Sequence, residues 1–494
     1  MPGEQQDSAD IRWLLHNQAS LDRRLSRVED SMVFRTLRAI GRLYSRHRPP
    51  SYKAWRERGG GDLPAPTLPA NIPRFTLIVP AIAAERIRQS IESYPNYEVL
   101  SDVADATGDY IAFLSQHDIV YPGALQHFAA AAPADLIYSD AEFIEPGGLP
   151  LQPLFKPDWS PILLQSVDYL GSLTAIKRSL LNGHADLLSA ARALCNPCVA
   201  HIQAVLYGTR IALPAPRTTP VPLNSSAPVS IIICTRTTNL LQTCLAGIRS
   251  QTNYPNLELL VVQHLGSSTL PEEAAVMRVI MEHGAKRIPY SAPFNFAAMN
   301  NLAAAQATGT VLLFLNDDVD PLQPDWLTRL TAWLDRPEIG AAGARLTFPD
   351  GTPQHSGIAA YLIDGAWHPG RGTPNNAPDQ SNWPWTQHTR EVSAVTGACL
   401  AIRAADFHRL GGFDPAFPVN FNDVDLCFRL RGEGLTIVVD AEAQLRHAES
   451  RTRPAGVSYQ ERRLFFRKWA AELERVDPFY TPHLAQNNED LSLR

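Results

Sequence analysis

Three carboxylates stand close together at the end of an apolar run in the stretch "LLFLNDDVDP". Asp317, Asp318 and Asp320 follow five apolar residues, 311–315, and such a run is typical of a strand covered on both faces. Carboxylates this close repel one another, so their clustering is easier to explain if a divalent cation lies among them. The plainer interpretation is a solvated turn that leads into a capped helix. The decapeptide alone leaves both interpretations open.

Two later stretches carry the other groups that such a site needs. "FNDVDLCFRLRGEG" places Asp423 and Asp425 near the start of a predicted helix, and "TIVVDAEAQLRHAES" gives a strand followed by His447. An acidic strand end, an acidic helix start and a lone histidine after a strand can assemble a divalent cation and a base around one crevice. Each piece alone has a plainer explanation, since aspartate caps helices and single histidines are usually structural. Their order along the chain favours a site.

The elements that position these groups alternate between short apolar strands and helices. From residue 229 the order is "VSIIICT", "LLQTCLAGIRSQT", "LELLVV", "NFAAMNNLAAAQA" and "TVLLFLNDDVD". This alternation predicts an α/β fold built on a parallel sheet. Because open α/β sheets bind ligands at the carboxyl ends of their strands, we expect the acidic residues to lie at the ligand-binding edge.

The same plan occurs earlier in the chain. "GDYIAFLSQHDIVYPGALQHF" can be laid on "GTVLLFLNDDVDPLQPDWLTRL", strand for strand and turn for turn, which predicts an internal duplication. The first copy keeps only His117 and Asp118 at the position of the acidic strand end. We therefore expect a structural or accessory copy rather than an active one.

The segments outside the two copies have patterns of their own. Apolar residues with a 3-4 spacing predict an N-terminal helix that pairs with itself, giving a homo-oligomer, or packs on the main body; they are Ile11, Leu14, Leu21, Leu25, Val28 and Met32. The arginine-rich continuation to residue 58 fits either an anionic membrane surface or a solvated basic helix. The predicted division is a helical and basic segment 1–58, a Gly/Pro linker 59–73, a degenerate copy 74–215, a catalytic domain 228–453 and a helical tail 454–494.

Composition limits the class of protein. The 494 residues carry a net charge of −6, with 45% hydrophobic and 19% charged residues, which is typical of a globular protein and argues against a nucleic-acid partner. The sequence shows no apolar run long enough to span a bilayer and no secretory signal, so we expect the protein in the cytoplasm, in peripheral contact with the inner membrane face if the basic segment binds lipid. "CNPC", from Cys195 to Cys198, has the spacing of half a zinc site, but without a second pair it favours buried or incidental thiols.

Seven stretches from residue 229 to 453 resemble, in order, the family 2 glycosyltransferases. In particular they resemble the tandem-domain bacterial enzymes, including rhamnosyltransferases, that extend O-antigen and related cell-surface polysaccharides. The stretches are "VSIIICTR", "SAPFNFAAMNNLAAAQATG", "FLNDDVDPLQPDWL", "PQHSGIAA", "VSAVTGACLAIR", "LGGFDPAFPVNFNDVDLCFRLRGEG" and "RHAES". The first copy is similar to the amino-terminal domain of the tandem members, in shortened form.

The resemblance implies a GT-A fold, with a Rossmann-like nucleotide-binding sheet, and an inverting sugar transfer from a nucleotide-activated donor. The family's DxD metal motif corresponds here to Asn316, Asp317 and Asp318, so Asp318 becomes the expected principal ligand of Mg²⁺ or Mn²⁺, and Asn316 departs from the strict motif. Asp423 matches the family's base, and His447 matches the histidine that completes the metal site in several relatives. Asp425 is then expected to orient the acceptor or the helix start.

Donor and acceptor contacts follow from the same resemblance. Relatives have an aspartate that contacts the nucleotide base where this chain has Gln263. Glutamine can hydrogen-bond a pyrimidine edge as donor and acceptor, so a pyrimidine-linked donor is expected here. The identity of the nucleotide stays open. Asp317 is expected near the ribose or the metal-bound waters. Further nucleotide contacts are expected from Thr235, Arg236, Asn300 and Asn301, for which turn formation and capping are equal alternatives. Acceptor contacts are expected from a segment whose candidates are His355, His368, Trp383 and Trp385, with core packing as the alternative for the tryptophans.

Two functions remain from the sequence. One is a metal-dependent, inverting glycosyltransferase that adds a sugar to a growing polysaccharide or lipid-linked oligosaccharide. The other is an inactive scaffold of a polysaccharide-assembly complex, favoured by the amides Asn316, Gln263 and Asn422 in place of acids. Retention of Asp318, Asp423 and His447 together favours the enzyme.

Overall fold

The computed structural model describes residues 51–181, 183–184, 186–212, 223, 225–266, 269–361, 365–374, 377–449, 457–486 and 489–494. The predictions made for residues 1–50, namely the self-pairing helix and most of the basic segment, lie outside these ranges. No helix within the described ranges is both long and apolar enough to cross a membrane. All six cysteines are free thiols, with Cys195 and Cys198 exposed rather than buried.

The first sheet contains eight strands. They are β1 Phe75–Ile78, β2 Tyr97–Leu100, β3 Tyr110–Phe113, β4 Ile119–Val120, β5 Leu136–Ile144, β6 Pro150–Leu154, β7 Thr174–Lys177 and β8 Val199–Thr209. The helices that precede, connect and cover them are α1 Tyr52–Glu57, α2 Ala81–Ile91, α3 Ala124–Ala131, α4 Pro161–Ser166, α5 Arg178–Leu181 and α6 Leu187–Arg192.

The second sheet contains ten strands, and a separate hairpin lies beside it. The sheet strands are β9 Val229–Thr235, β10 Leu257–His264, β11 Lys286–Tyr290, β12 Val311–Asn316, β13 Val319–Pro321, β14 Ile339–Thr347, β15 Pro353–His355, β18 Arg390–Glu391, β19 Cys399–Arg403 and β20 Thr436–His447, and the hairpin is β16 Ala359–Tyr361 with β17 Gly365–Trp367. The helices are α7 Thr238–Ser250, α8 Leu270–Glu282, α9 Phe296–Ala304, α10 Trp326–Leu334, α11 Ala404–Arg409, α12 Asn422–Gly432 and α13 Tyr459–Leu473.

The two sheets have the same topology. Their strand orders are β2-β1-β3-β7-β5-β8-β4 and β10-β9-β12-β19-β14-β20-β13, and the second sheet adds β11 at one edge. Corresponding pairs also run in the same sense: β3 with β7 and β12 with β19 are antiparallel, whereas β5 with β8 and β14 with β20 are parallel. The α/β class and the internal duplication expected from the sequence are therefore present, and the second sheet has the GT-A strand arrangement.

One hydrogen-bonded latch occurs in both copies. Gly108 donates its N–H to Thr76 Oγ1 (2.9 Å), and the Thr76 hydroxyl donates to the Glu98 carboxylate (2.5 Å). In the second copy the same bonds join Gly309, Ser230 and Glu258, at 2.9 and 2.5 Å. A Cβ on either glycine would lie within 2.6 Å of its partner, so glycine is required for this close approach. The latch joins the amino ends of the central strands in both sheets.

Alternating side chains of the central strands enter two different cores. In β9, Ile231 and Ile233 pack with α7 on one face, whereas Ile232 packs with α9 residues on the other. All three side chains are fully buried. A strand covered by helices on both faces needs apolar residues along its length, which explains the three isoleucines at 231–233. Ser230, near the amino end of β9, is the polar exception, and its hydroxyl takes part in the latch.

The two sheets belong to one compact unit that covers residues 51–494. The fully buried Glu391 carboxylate, at the end of β18, accepts hydrogen bonds from the Ser160 hydroxyl and from Ile162 N–H at the start of α4. The segment after α13 also touches the first copy, because Asp158 donates its N–H to Pro478 O (2.7 Å). Within the predicted linker, Gly61 O accepts the N–H of Val205 on β8. The domain limits given above stay a prediction.

Candidate functional site

The site lies at the carboxyl ends of β9 and β12. The chain passes from β9 to β10 and β11 on one side, then returns to place β12 on the other side of β9. Ligands of open α/β sheets bind at such a reversal of strand order. The last residue of β9, Thr235, donates its hydroxyl to Asp317 Oδ2 at 2.6 Å. This bond joins the two strand ends and fixes the Asp317 carboxylate beside the crevice.

Asp318 and His447 meet at this edge. The short strand β13 pairs with β20 so that Val319 lies opposite His447, which brings the end of β20 to the acidic turn. Asp318 Oδ1 is then 3.0 Å from His447 Nε2, and each side chain is only 7% exposed. Asn316 Nδ2 lies 3.4 Å from the same imidazole nitrogen. The structure thus brings together the three residues proposed as metal ligands.

This donor set fits a divalent cation held jointly with a ligand. One carboxylate oxygen and one imidazole nitrogen converge, and the Asn316 amide offers an oxygen if its orientation is exchanged. Within the described part of the chain, no group of three or more His, Cys, Asp or Glu residues is arranged to hold a metal. Because Mg²⁺ is typically bound through few carboxylates together with substrate phosphates, we infer that a bound phosphate group would complete the coordination.

Asp423 lies in the first turn of α12, and the backbone before it is unusual. Phe421 has φ +63°, a left-handed conformation that is rare for an aromatic residue. Its ring stacks on Phe465 of α13 at 4.3 Å with an interplanar angle of 8°. Asp423 Oδ2 accepts the N–H of Gly397 at 2.8 Å, and Oδ1 accepts the N–H of Val424. The carboxylate is therefore oriented by two backbone donors.

A three-residue loop, 396–398, precedes β19. It connects Asp423 to the acidic turn, which is the turn after β12 that carries Asp317 and Asp318. Within this loop, Gly397 donates to Asp423, and Ala398 O accepts the N–H of Asn316 at 3.0 Å. The sequence did not predict a role for this loop, although Gly397 lies inside the stretch "VSAVTGACLAIR". A Cβ on Gly397 would make ordinary van der Waals contacts with Phe296 and Asp423, at 3.4 and 3.6 Å. The role of this loop lies in its backbone groups, which the residue types do not indicate.

Of the two roles expected for Asp425, orienting the acceptor or the helix start, its contacts favour the second. Its side chain is fully buried and accepts hydrogen bonds from Arg429 Nε (2.9 Å) and Trp469 Nε1 (3.0 Å). Lys468 Nζ lies 2.6 Å from the same carboxylate. Because Trp469 and Lys468 belong to α13, Asp425 joins α13 to α12. It supports the helix that carries Asp423 and does not face the crevice.

Three of the amides proposed to contact the nucleotide are occupied by the protein itself. Gln263 is buried, donating to Glu273 O and accepting from Arg287 Nε. Asn300 donates to Phe296 O one turn earlier in α9, and Asn301 exchanges two hydrogen bonds with the backbone of Phe413. These contacts give each of the three amides a partner within the protein, and their nucleotide-binding roles stay a prediction. Arg236, in contrast, is exposed directly after β9, and its role stays a prediction.

The structure contradicts the acceptor roles of three residues. Trp383 and Trp385 are fully buried. Trp383 packs edge-on against Tyr480, and Trp385 donates its indole N–H to Phe155 O (2.8 Å), so neither ring offers a face to a sugar. His355 is 1% exposed and is paired with His368. The tryptophans form part of the core shared with the first copy.

The corresponding turn of the first copy has no metal-binding geometry. His117 is exposed and contacts Gln116, whereas the fully buried Asp118 accepts the N–H of Ser115 at 2.6 Å. At the end of β8, Tyr207 hydrogen-bonds Lys156 Nζ (3.2 Å). This difference agrees with the expected accessory character of the first copy.

Comparison with known proteins supports the family. Residues 227–466 match the family model described as "Glycosyltransferase like family 2". The O-antigen biosynthesis protein RfbC of Myxococcus xanthus is 32% identical over 484 residues, which covers 83% of this chain and 37% of RfbC. The uncharacterized protein y4gI of Sinorhizobium fredii is 30% identical over 466 residues, covering 80% of this chain and 50% of y4gI. The chain thus spans between about a third and a half of the length of these curated relatives.

Among solved structures, the mannosyltransferase PcManGT from Pyrobaculum calidifontis, in complex with GDP-Man and Mn²⁺, aligns at 18% identity with a TM-score of 0.37, covering 53% of this chain and 68% of PcManGT. Through residues 227–466, just under half of its length, the chain is similar to the glycosyltransferase like family 2.

Proposed function

We propose that the second domain transfers a glycosyl group from a nucleoside diphosphate sugar to an acceptor hydroxyl, with inversion and with a divalent cation. The observation that carries the proposal is the 3.0 Å approach of Asp318 and His447 at the reversal of strand order. The match to RfbC, an O-antigen biosynthesis protein, supports a polysaccharide or lipid-linked oligosaccharide as the acceptor. Mg²⁺ and Mn²⁺ both remain candidates, and the donor nucleotide is proposed to carry a pyrimidine.

Each residue of the site has a distinct task in this reaction. Asp318 and His447, with Asn316, would hold the cation, which supplies Lewis-acid stabilisation of the charge that develops on the departing diphosphate. Asp317, whose carboxylate accepts the Thr235 hydroxyl, would contact the ribose of the donor or the metal-bound waters. Asp423 accepts the proton of the acceptor hydroxyl while the new bond to the anomeric carbon forms and the bond to the diphosphate oxygen breaks. The electron pair of that bond leaves with the diphosphate.

The proposal is tested with the purified chain and a panel of UDP-, dTDP- and GDP-linked sugars, each with and without Mn²⁺ or Mg²⁺. Release of nucleoside diphosphate and a rise in the unfolding temperature are measured together, since a ligand that binds the folded state stabilises it. We expect one donor class to give both signals only with metal, and Asp318→Asn to remove them. Asp320→Asn is the matched control, because Asp320 belongs to the same turn but lies 3.7 Å from Arg446.

An inactive scaffold is the second candidate function. Asn422, which stands where the family has an acid, is buried and donates its amide to Phe417 O, so it contributes no charge to the crevice. If neither the wild type nor the Asp318 and Asp320 variants release nucleotide from any donor, the scaffold is favoured and the transferase proposal is overturned.

A further inference from the structure

Two histidines, the buried His355 and the partly exposed His368, form a pair next to the loop that connects the acidic turn to Asp423. His355, at the end of β15, and His368, after β17, place their Nδ1 atoms 2.8 Å apart, with ring planes inclined by 75°. Neither ring belongs to the metal ligands or to the base described above. Polar rings in such a place carry a desolvation penalty that apolar rings of the same shape would not.

The hydrogen bonds of His355 determine which nitrogens carry protons. Its Nε2 accepts the backbone N–H groups of Gly357 and Thr396, each at 3.4 Å, so Nε2 is unprotonated. Burial and the neighbouring His368 hold the pKa of His355 well below its usual range, and burial with Arg371 lowers the pKa of His368 to about 3. Both rings are therefore neutral. His355 Nδ1–H donates to His368 Nδ1, and the two rings form one directed chain.

The hydrogen bonds of the histidine pair extend to the loop that orients the proposed base. Thr396 donates its N–H to His355 Nε2, and the next residue, Gly397, donates its N–H to Asp423 Oδ2. Ala398 O accepts the N–H of Asn316. Backbone groups of three consecutive residues thus bond the histidine pair, the base and the acidic turn. A rotation of the backbone at Thr396 would change the direction of the bond to Asp423.

We propose that His355 and His368 are positioning residues that hold the Thr396 to Ala398 loop, and through it the Asp423 carboxylate, in the orientation that accepts the acceptor proton. This inference rests on the proposed glycosyltransferase function. It assigns the pair to neither acceptor binding nor metal binding, but to the alignment of the base.

The first test measures loop geometry without any substrate. In hydrogen exchange of the full-length chain, followed by mass spectrometry of peptides that span residues 393–400, His355→Phe should speed exchange at Thr396 and Gly397 at least tenfold. His355→Gln should restore protection, because its amide can accept from Thr396 and donate to His368 as neutral imidazole does. Unchanged exchange in His355→Phe overturns the proposal.

The second test measures catalysis with the donor sugar from the UDP, dTDP and GDP panel that wild type hydrolyses fastest with Mn²⁺. For His355→Phe and His368→Phe we expect kcat to fall between about 10- and 100-fold, with donor KM within twofold, since misplacement of a catalytic group acts on the reaction step. His355→Gln should recover most of kcat. His408→Gln, an exposed histidine on α11, is the control and should match wild type.

The outcomes separate this inference from the function on which it rests. A rise in donor KM with kcat unchanged would show that the pair serves donor binding and would overturn the positioning role. Failure of His355→Gln to rescue, with its unfolding temperature equal to wild type, would also overturn it. Absence of nucleotide release from wild type overturns the proposed function, and any exchange difference then reports a purely structural contact.

Discussion

His447 approaches Asp318 through one specific ring nitrogen. Nε2 lies 3.0 Å from Asp318 Oδ1, whereas Nδ1 is buried and has no hydrogen-bond partner within the described residues. A metal-binding histidine usually fixes its ring by donating from the second nitrogen. Here the orientation of the His447 ring depends on its packing and on the contacts of Nε2 with Asp318 and Asn316.

The nitrogen that faces Asp318 predicts which replacement of His447 retains function. The amide of His447→Gln can reach the place of Nε2, whereas that of His447→Asn reaches only the place of Nδ1. We expect His447→Gln to keep a weakened Mn²⁺-dependent donor affinity, about 10- to 100-fold below wild type, and His447→Asn to lose it. Isothermal titration with the donor identified in the panel measures both. Equal affinity of the two variants would contradict the assignment of Nε2.

Asp423→Asn should separate donor binding from the reaction step. The amide oxygen can still accept from Gly397 or Val424, so the loop keeps a partner, but the side chain no longer accepts a proton. We expect kcat to fall by about 10²- to 10⁴-fold with the donor Kd within twofold of wild type. Single-turnover transfer and equilibrium titration measure the two quantities. A variant with normal kcat would exclude Asp423 as the base.

Asp425→Ala should destabilise the protein rather than alter a substrate contact. Removing one partner from a buried, hydrogen-bonded charge cluster decreases the free energy of unfolding by about 3–5 kcal/mol. The partly exposed pair of Asp414 with Lys468 (3.0 Å) provides a matched control, and Asp414→Ala should change it by less than about 1 kcal/mol. Urea unfolding measures both variants. Similar values for the two would contradict the structural role given to Asp425.

Trp385→Phe should behave as a core substitution. It removes the indole donor from Phe155 O, and a buried acceptor left without its partner lowers stability by about 1–3 kcal/mol. Because the ring has no exposed face, acceptor KM should stay within twofold of wild type. Thermal unfolding and acceptor titration check the two expectations. A raised acceptor KM at unchanged stability would restore the sugar-stacking role that the burial contradicts.

Lys156 predicts a pH dependence of stability. Burial lowers the pKa of this lysine to about 7 despite the nearby Asp140 and Asp168. The unfolded chain, in which lysine titrates near 10.4, therefore binds more protons than the folded chain between about pH 7 and 10.4, so this lysine makes stability rise with pH over that window. Burial lowers the pKa of His201, but Asp140 and Asp158 together outweigh this effect and raise it, so the contribution of His201 to stability falls as pH rises through the folded pKa.

Comparison with Lys156→Met isolates the lysine contribution. The methionine variant should be more stable than wild type at pH 7, and the difference should shrink by pH 9. Urea unfolding at pH 7, 8 and 9 measures the difference between the two chains. A constant difference across that range would show that Lys156 keeps its usual pKa.

The strands and the pairing of Asp318 with His447 could be predicted because they depend on patterns along the chain. Five apolar residues in sequence specify a strand buried on both faces, and parallel strands bring their carboxyl ends to one edge. Two groups that each follow a strand can then meet with no knowledge of side-chain orientation. The same reasoning located Asp423 at a helix start.

The amides and Asp425 could not be placed in this way, because their orientation depends on partners distant in sequence. Asn301 is bound by the backbone at Phe413 and Asp425 by α13, contacts that no spacing indicates. Asp423 and Asp425 stand two positions apart at one helix start, and the turn of the helix directs one to the crevice and the other to a neighbouring helix. For the tryptophans the sequence left acceptor contact and core packing open, because an aromatic residue suits a core and a sugar equally well.

The latch of hydroxyl, glutamate and glycine occurs in both sheets, whereas the pairing of Asp318 with His447 belongs to the second sheet. The latch ties the amino ends of the strands together and uses no residue of the carboxyl edge. The framework of each sheet is therefore held in part by bonds that do not depend on the reactive groups. Variants with random substitutions in the turn after β12, and with Ser230, Glu258 and Gly309 unchanged, should fold at high frequency even where catalytic turnover is lost.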